Sequence, residues 1–274
     1  MSESAIADSP LGHDVAYPVA YDPTLLYPIA RDVNRRTLPM LPKWAGADIW
    51  NAYEISWLNH KGKPVAGVAR FVFSQASPNL IESKSLKLYL NSFNEARFED
   101  SRTVRDLMVH DLSHAAGDTV EVMLESTQKI KTAPCRALEG ICIDDADIEV
   151  HTYHRDPSLL RCVPAPTLLR ETLTSDLLKS NCPVTGQPDW ASLQIQYEGP
   201  QIDRAALLEY IISLRRHDGF HEHCVEQIYC DIWHACHPNF LFVYARYTRR
   251  GGLDINPWRS SAPVEVSQVR TIRQ

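Results

Sequence analysis

Two stretches decide the fold: Glu82-Ser83-Lys84-Ser85-Leu86-Lys87-Leu88-Tyr89-Leu90-Asn91-Ser92-Phe93 and Asp203-Arg204-Ala205-Ala206-Leu207-Leu208-Glu209-Tyr210-Ile211-Ile212-Ser213-Leu214. In the first, Leu86, Tyr89, Leu90 and Phe93 fall at i, i+3, i+4 and i+7, which is one face of an α-helix. In the second, Leu207, Tyr210, Ile211 and Leu214 repeat the pattern. Leu86, Tyr89, Leu90, Ser92 and Phe93 each precede their counterpart by 121 positions (207 minus 86). Asn59 precedes Asn181, and Phe98 precedes Phe220, by 122. Self-similarity at one fixed offset, in the same order, is the signature of an internal duplication.

Reading outward from these helices extends the match. Ile49 to Trp57 alternates apolar and polar residues and predicts a strand. His60-Lys61-Gly62-Lys63-Pro64 is a turn signal, and Val65 to Ser74 is the returning strand of a hairpin. A second helix starts at the cap Asp100 or Ser101, with Val104, Leu107, Met108 and Leu112 on one face. Thr119 to Leu124 is a further strand. In the second half, Leu173 to Ser180 and Leu193 to Tyr197 read as strands around a long turn. Val225, Ile228, Tyr229, Ile232 and Trp233 form the second helix face, and Asn239 to Tyr247 is a strand. Each half reads ββααβ, closed by one more strand, so the fold class is α+β. Residues 1–40 read as an irregular arm pinned by Tyr17, Tyr21, Leu25, Leu26 and Tyr27. We expect a first module over 41–130, a connector over 131–165 and a second module over 166–274.

Composition excludes several classes. The chain has 274 residues, 44% hydrophobic and 23% charged, as in ordinary globular proteins. No run reaches the ~18 apolar residues of a membrane-spanning helix. The formal net charge of −6 argues against direct nucleic-acid binding, which favours basic surfaces. Met1 to Pro10 has no basic and apolar leader pattern, so a cytoplasmic protein is expected. There the seven cysteines should be free thiols, mostly buried as small hydrophobes.

Chemistry concentrates where the two halves differ. The second half carries Asn181-Cys182-Pro183-Val184-Thr185-Gly186-Gln187-Pro188-Asp189-Trp190. Two prolines and a glycine make a tight loop whose tip offers a thiol and a carboxylate. A thiolate is nucleophilic and a nearby acid can manage protons, although a loop cysteine beside a turn aspartate reads equally well as structure. Phe220-His221-Glu222 lies at a helix start, where His221 could shuttle protons and Glu222 could simply favour the helix dipole. Ser83, Lys84 and Lys87 also lie at a helix start, where free N–H groups suit a phosphate. Arg249-Arg250-Gly251-Gly252 is a second basic, flexible loop. Both runs could instead be solvated surface. No GxG and no GxxxxGK[ST] occurs, so neither a Rossmann fingerprint nor a P-loop is supported. His221, His223, Cys224, Cys230, His234, Cys236 and His237 crowd together, but without a CxxC pair or HExxH; core cysteines explain them better than zinc.

The loop CPVTGQPDW, the triplet FHE and the run ESKSLKLY together resemble the QueF family, NADPH-dependent 7-cyano-7-deazaguanine reductases of the queuosine pathway, in its long two-module form. The resemblance covers residues 40–274. It implies tandem tunnelling-fold (T-fold) modules, in which antiparallel strands form a barrel with helices outside. It implies that Cys182 attacks the nitrile to give a covalent thioimide, that Asp189 protonates the nitrogen, and that His221 positions substrate and handles protons. Ile81, Glu82, Ser83, His221 and Glu222 would bind the deazaguanine. Ser83, Lys84, Lys87, Arg250 and Gly251 would hold the phosphates of NADPH, consumed twice per substrate, with no metal. Since one chain supplies too few modules for the barrel, a homodimer is expected. Two other readings remain: a zinc-dependent hydrolase resembling GTP cyclohydrolase, and a purine-binding module with an inert cysteine.

Overall fold

The computed structural model describes residues 17–39, 42–127 and 135–274. The chain divides into two compact units. The first gathers the described residues of Met1–Thr37, Ala47–Thr132 and Arg249–Ile255; the second gathers those of Leu38–Gly46, Ala133–Thr248 and Asn256–Gln274.

The first unit contains β1 (Pro28–Ala30), α1 (Arg31–Arg35), β2 (Ala45–Leu58, its first residues counted with the second unit), β3 (Pro64–Ser74), β4 (Asn79–Ile81), α2 (Ser83–Ser92), α3 (Ser101–Ala116) and β5 (Val120–Ser126). β2 and β3 form the expected hairpin, and β5 adds to the far edge of β3, all antiparallel. Asn59 closes the hairpin by accepting the N–H groups of Lys61 and Lys63 on its side chain. The helices lay Leu86, Tyr89, Phe93, Val104, Met108 and Leu112 against Trp50, Ile55, Trp57, Phe71 and Phe73 of the sheet. Those apolar positions are the ones the 3.6 and 2.0 periods select.

The second unit contains β6 (Ile141–Cys142), β7 (Leu168–Asn181), β8 (Pro188–Pro200), α4 (Arg204–Ser213), α5 (His221–Cys236), β9 (Phe240–Tyr247) and the later part of β10 (Leu253–Ser260). The strand order is β10-β9-β8-β7-β6, antiparallel except for the β6–β7 pair. Leu207, Tyr210, Ile211, Leu214, Val225, Ile228 and Ile232 pack on Leu173, Leu193, Ile195, Val243 and Ala245.

The units share local joints. Each long hairpin has a register shift in its first strand, between Ala52 and Ile55 and between Ser175 and Leu178. Each first helix is capped by its own acidic residue, Glu82 or Asp203. Each second helix ends in a left-handed residue, Gly117 or His237. Tyr89 donates to Asp111, and Tyr210 to Asp231. A three-residue turn docks on each helix pair: the N–H of Asp22 donates to Ser92 Oγ, and that of Asp156 to Ser213 Oγ.

Three expectations need correction. The segment 17–39 is not irregular throughout, because β1 pairs with β4 and α1 follows it. Buried Arg31 holds α1 through an ion pair with Asp48 at 2.6 Å, a link that periodicity in five residues cannot reveal. Tyr17 pins nothing in the core: it is 64% exposed, whereas Leu26 is buried and Tyr21 packs beside Phe93. The turn after β7 is also shorter than expected. β8 begins at Pro188, so Asp189 is a strand residue paired with Ser180 rather than part of the loop tip.

Candidate functional site

The end of the β7–β8 hairpin positions the thiol. Cys182 N–H donates to Gln187 O at 2.8 Å, and Gly186 N–H donates to Cys182 O at 3.0 Å. Gly186 has φ +66 with open space around it, so glycine closes this loop without strain. Pairing of Ser180 with Asp189, and the further step from Cys182 to Gln187, place Ser180, Cys182 and Asp189 on one face of the hairpin, because side chains alternate along strands. Cys182 is 8% exposed and Asp189 3%.

A second joint brings the start of α5 to the same place. Asn181 N–H donates to His217 O, and Gly219 N–H donates to Asn181 O. This short parallel bridge seats residues 217–219 beside the hairpin. α5 therefore opens with His221 and Glu222 at the hairpin end. His221 Nε2 stands 3.4 Å from Asp189 Oδ1. The His221 ring lies edge-on to the Tyr247 ring, centroids 4.0 Å apart. Glu222 is buried in the first helical turn, with the favourable dipole end around its carboxylate.

The remaining thiols are of a different kind. Cys224 and Cys236 belong to the apolar core, and burial pushes their thiols up to about 11 and about 12. They stay protonated and inert near neutral pH. Cys135 and Cys142 are exposed, and all seven cysteines are free thiols. Among the described residues no group of three or more His, Cys, Asp or Glu is placed to hold a metal ion.

The other expected residues lie in the first unit. Ile81 ends β4 and is buried. Glu82 is fully buried and caps α2: its carboxylate accepts Lys84 N–H at 2.6 Å and Ser85 N–H at 2.7 Å, and Ser83 Oγ donates to it at 3.4 Å. Burial pushes the Glu82 carboxyl up, against the pull of those N–H groups and of Lys87. This corrects the expectation of free N–H groups at the helix start, since Glu82 already takes two of them. A side chain at Gly251 would meet Lys87 Nζ at 3.1 Å. Arg250 and Leu253 close a two-residue hairpin over Gly251 and Gly252, both at positive φ. Two positive φ values are what such a turn demands, and glycine supplies them. Lys87 of α2 thus stands beside the Gly251 turn, with Ser83 and Lys84 one turn earlier on the same helix, while Cys182, Asp189, His221 and Glu222 gather in the second unit. Ser180, on the Cys182 face of the hairpin, and Tyr247, against the His221 ring, read in the sequence as ordinary strand residues.

Comparison with known proteins fits this arrangement. Residues 17–124 match the family model "Nitrile reductase, 7-cyano-7-deazaguanine-reductase N-term", and residues 188–265 match "QueF-like protein". The NADPH-dependent 7-cyano-7-deazaguanine reductase of Bordetella avium is 57% identical over 260 residues, 94% of each chain. The chain belongs to the QueF family. The Bordetella parapertussis reductase of the same name is 55% identical over 98% of this chain and 100% of its own. A solved structure of the archaeosine synthase QueF-Like in the apo form covers 37% of this chain at 17% identity, with a TM-score of 0.31. The two family-model matches fall in both units and include Asp189, the FHE helix start and the ESKSLKLY helix, while Cys182 lies between them.

Proposed function

We propose that this QueF chain reduces the nitrile of 7-cyano-7-deazaguanine to an aminomethyl group, at the cost of two NADPH, for queuosine in tRNA. The observation that carries this reading is the grouping of Cys182, Asp189 and His221 at one hairpin end, in a chain whose close relatives bear that activity in their names.

The residues divide the work as follows. Cys182 sulfur adds to the nitrile carbon; one C–N π bond becomes a C–S bond, and the nitrogen takes a proton from Asp189. The product is a thioimide on Cys182. This covalent step turns a poor hydride acceptor into a C=N unit and splits one hard reaction into easier ones. NADPH, when bound, supplies a hydride to the carbon in each of two reductions. The first expels Cys182 and leaves an imine; the second leaves the amine. With two protons taken up, the balance is one nitrile and two NADPH to one primary amine and two NADP+. His221, 3.4 Å from Asp189, holds and returns the proton that Asp189 handles. Glu82 and Glu222 accept from the ring N–H groups, Ile81 and Ser83 complete the ring pocket, and His221 helps to position it. Lys84, Lys87, Arg250, Ser83 and Gly251 hold the cofactor phosphates; the lysine and arginine charges suit phosphate, and the glycine turn admits close approach. Holding the ring fixes the nitrile near the thiol, which is where buried carboxylates far from the reacting atom earn rate.

The same reading places T-fold modules at 41–130 and 166–274, with 1–40 as an arm and 131–165 as a connector. It makes the working form a homodimer that completes the barrel, in the cytoplasm, with no direct nucleic-acid contact.

The test is nicotinamide absorbance with purified protein, NADPH and 7-cyano-7-deazaguanine. We expect two NADPH oxidised per substrate, no effect of a chelator, and neither turnover nor a covalent adduct by intact mass in Cys182→Ala, whose fold should persist. A chelator-sensitive hydrolysis without NADPH consumption would replace the reductase with a zinc hydrolase. Binding without turnover would leave a base-binding module.

A further inference from the structure

His221 touches a residue with no assigned part in the reaction. Tyr247 is the last residue of β9 and pairs with Ala191, two positions from Asp189 on β8. It is 1% exposed, and its ring meets the imidazole of His221 edge-on, with centroids 4.0 Å apart and planes at 75°. His221 Nε2 also stands 3.4 Å from Asp189 Oδ1. The imidazole thus contacts both a carboxylate and a phenol ring. Such a ring pair has a preferred geometry, in contrast to a contact with a flexible aliphatic chain.

Tyr247 is itself firmly held. Its carbonyl accepts from Gln274 Nε2 at 3.1 Å, and the next residue, Thr248, donates to Trp190 O at 2.9 Å. Its hydroxyl is sunk beside Ser180 and Cys224, and burial raises the phenol well above its ordinary range. It therefore remains a neutral phenol near pH 7. What it offers is a surface of fixed position.

We propose that Tyr247 is a positioning residue whose ring fixes the His221 imidazole in the orientation that presents Nε2 to Asp189. This rests on the reading of His221 and Asp189 as the proton-handling pair. The ring, and not the hydroxyl, carries the effect. A loose imidazole costs rate, because small misplacements of a catalytic group are expensive, while Glu82 and Glu222 supply most of the hold on the substrate ring.

Three variants, Tyr247→Phe, Tyr247→Leu and His221→Ala, are compared by steady-state kinetics and by NMR of histidine-labelled protein. Tyr247→Phe should keep the parent kcat and the ring-current shift of the His221 protons. Tyr247→Leu should lower kcat about tenfold or more with KM for 7-cyano-7-deazaguanine within about twofold, and should lose that shift. A direct ring-to-ring nuclear Overhauser contact in the parent protein needs no variant and keeps the proposal testable if Tyr247→Leu fails to fold. Its absence overturns the proposal. So does a Tyr247→Phe variant as slow as Tyr247→Leu, which would assign the effect to the hydroxyl. If His221→Ala keeps the parent rate, the proton role of His221 falls, while the NMR shifts still report whether Tyr247 orients the ring.

Discussion

His223 stands in the first turn of α5, two residues from His221, yet faces the interior. Burial lowers its imidazole from the usual 6.5 to about 4, with Glu226 pulling in the opposite direction. The unfolded chain therefore takes up a proton near pH 6.5 that the folded chain refuses until about pH 4. Stability from this group is complete above pH 6.5 and is lost as pH falls towards 4, by up to about 1.4 kcal/mol per pH unit for one proton. His223→Asn should flatten the fall in thermal midpoint between pH 6.5 and 4. An unchanged acid limb would assign the sensitivity elsewhere, with His217, also lowered by burial, as the next suspect. Nothing in the residue types separates His221 from His223. The sequence shows two histidines flanking a glutamate, and only the seating of α5 against the hairpin turns one towards Asp189.

Among elements, α5 and β10 are joined by a buried ion pair. Arg259 is 0% exposed, and its Nη2 lies 2.7 Å from Glu226 Oε1, with Nε at 3.1 Å to the same oxygen. Arg259→Met removes the cation and leaves Glu226 charged in the interior. Breaking a buried pair in this way costs about 3–5 kcal/mol, and chemical denaturation should show a loss of that order. A loss under about 1 kcal/mol would mean that water reaches Glu226 in the variant. The long helices and hairpins were legible from sequence because their periods are sustained: α2, α3, α4 and α5 start close to where apolar spacing and caps place them. β1, β4 and β6 were not, since two or three residues carry no period. The extent of β8 was hidden for another reason. Pro188 looks like turn chemistry, yet here it opens a strand, and that carries Asp189 from the loop tip into the sheet.

At the scale of the whole chain, the repeated joints have diverged in charge. Asp111 accepts from two phenols, Tyr21 and Tyr89. Asp231 accepts from one phenol, Tyr210, and from both Nε and Nη2 of Arg155. Asp231→Asn should lower stability by about 2 kcal/mol, less than for a fully buried pair because Arg155 is about a quarter exposed. Asp111→Asn, which strands no buried cation and leaves only the exposed His110 beside it, should cost less. Equal losses in thermal melts would show that the phenols, shared by both joints, carry the energy. The motif residues of the candidate site were legible from resemblance, and the offset of 121 from the residues themselves. That Glu82 also caps its own helix was not, because the letter pattern of a cap and of a ligand acceptor is the same.

The docking of Tyr21 on Asp111 also bears on how the protein can be trimmed or tagged. Residues 21–26 fill a place that Arg155 to Leu160 fill in the other unit. A cleavable tag joined ahead of Tyr17 leaves that seat taken. A truncation starting at Tyr27 empties it, exposing the flank of Phe93 and withdrawing one of the two hydroxyls from the Asp111 carboxylate.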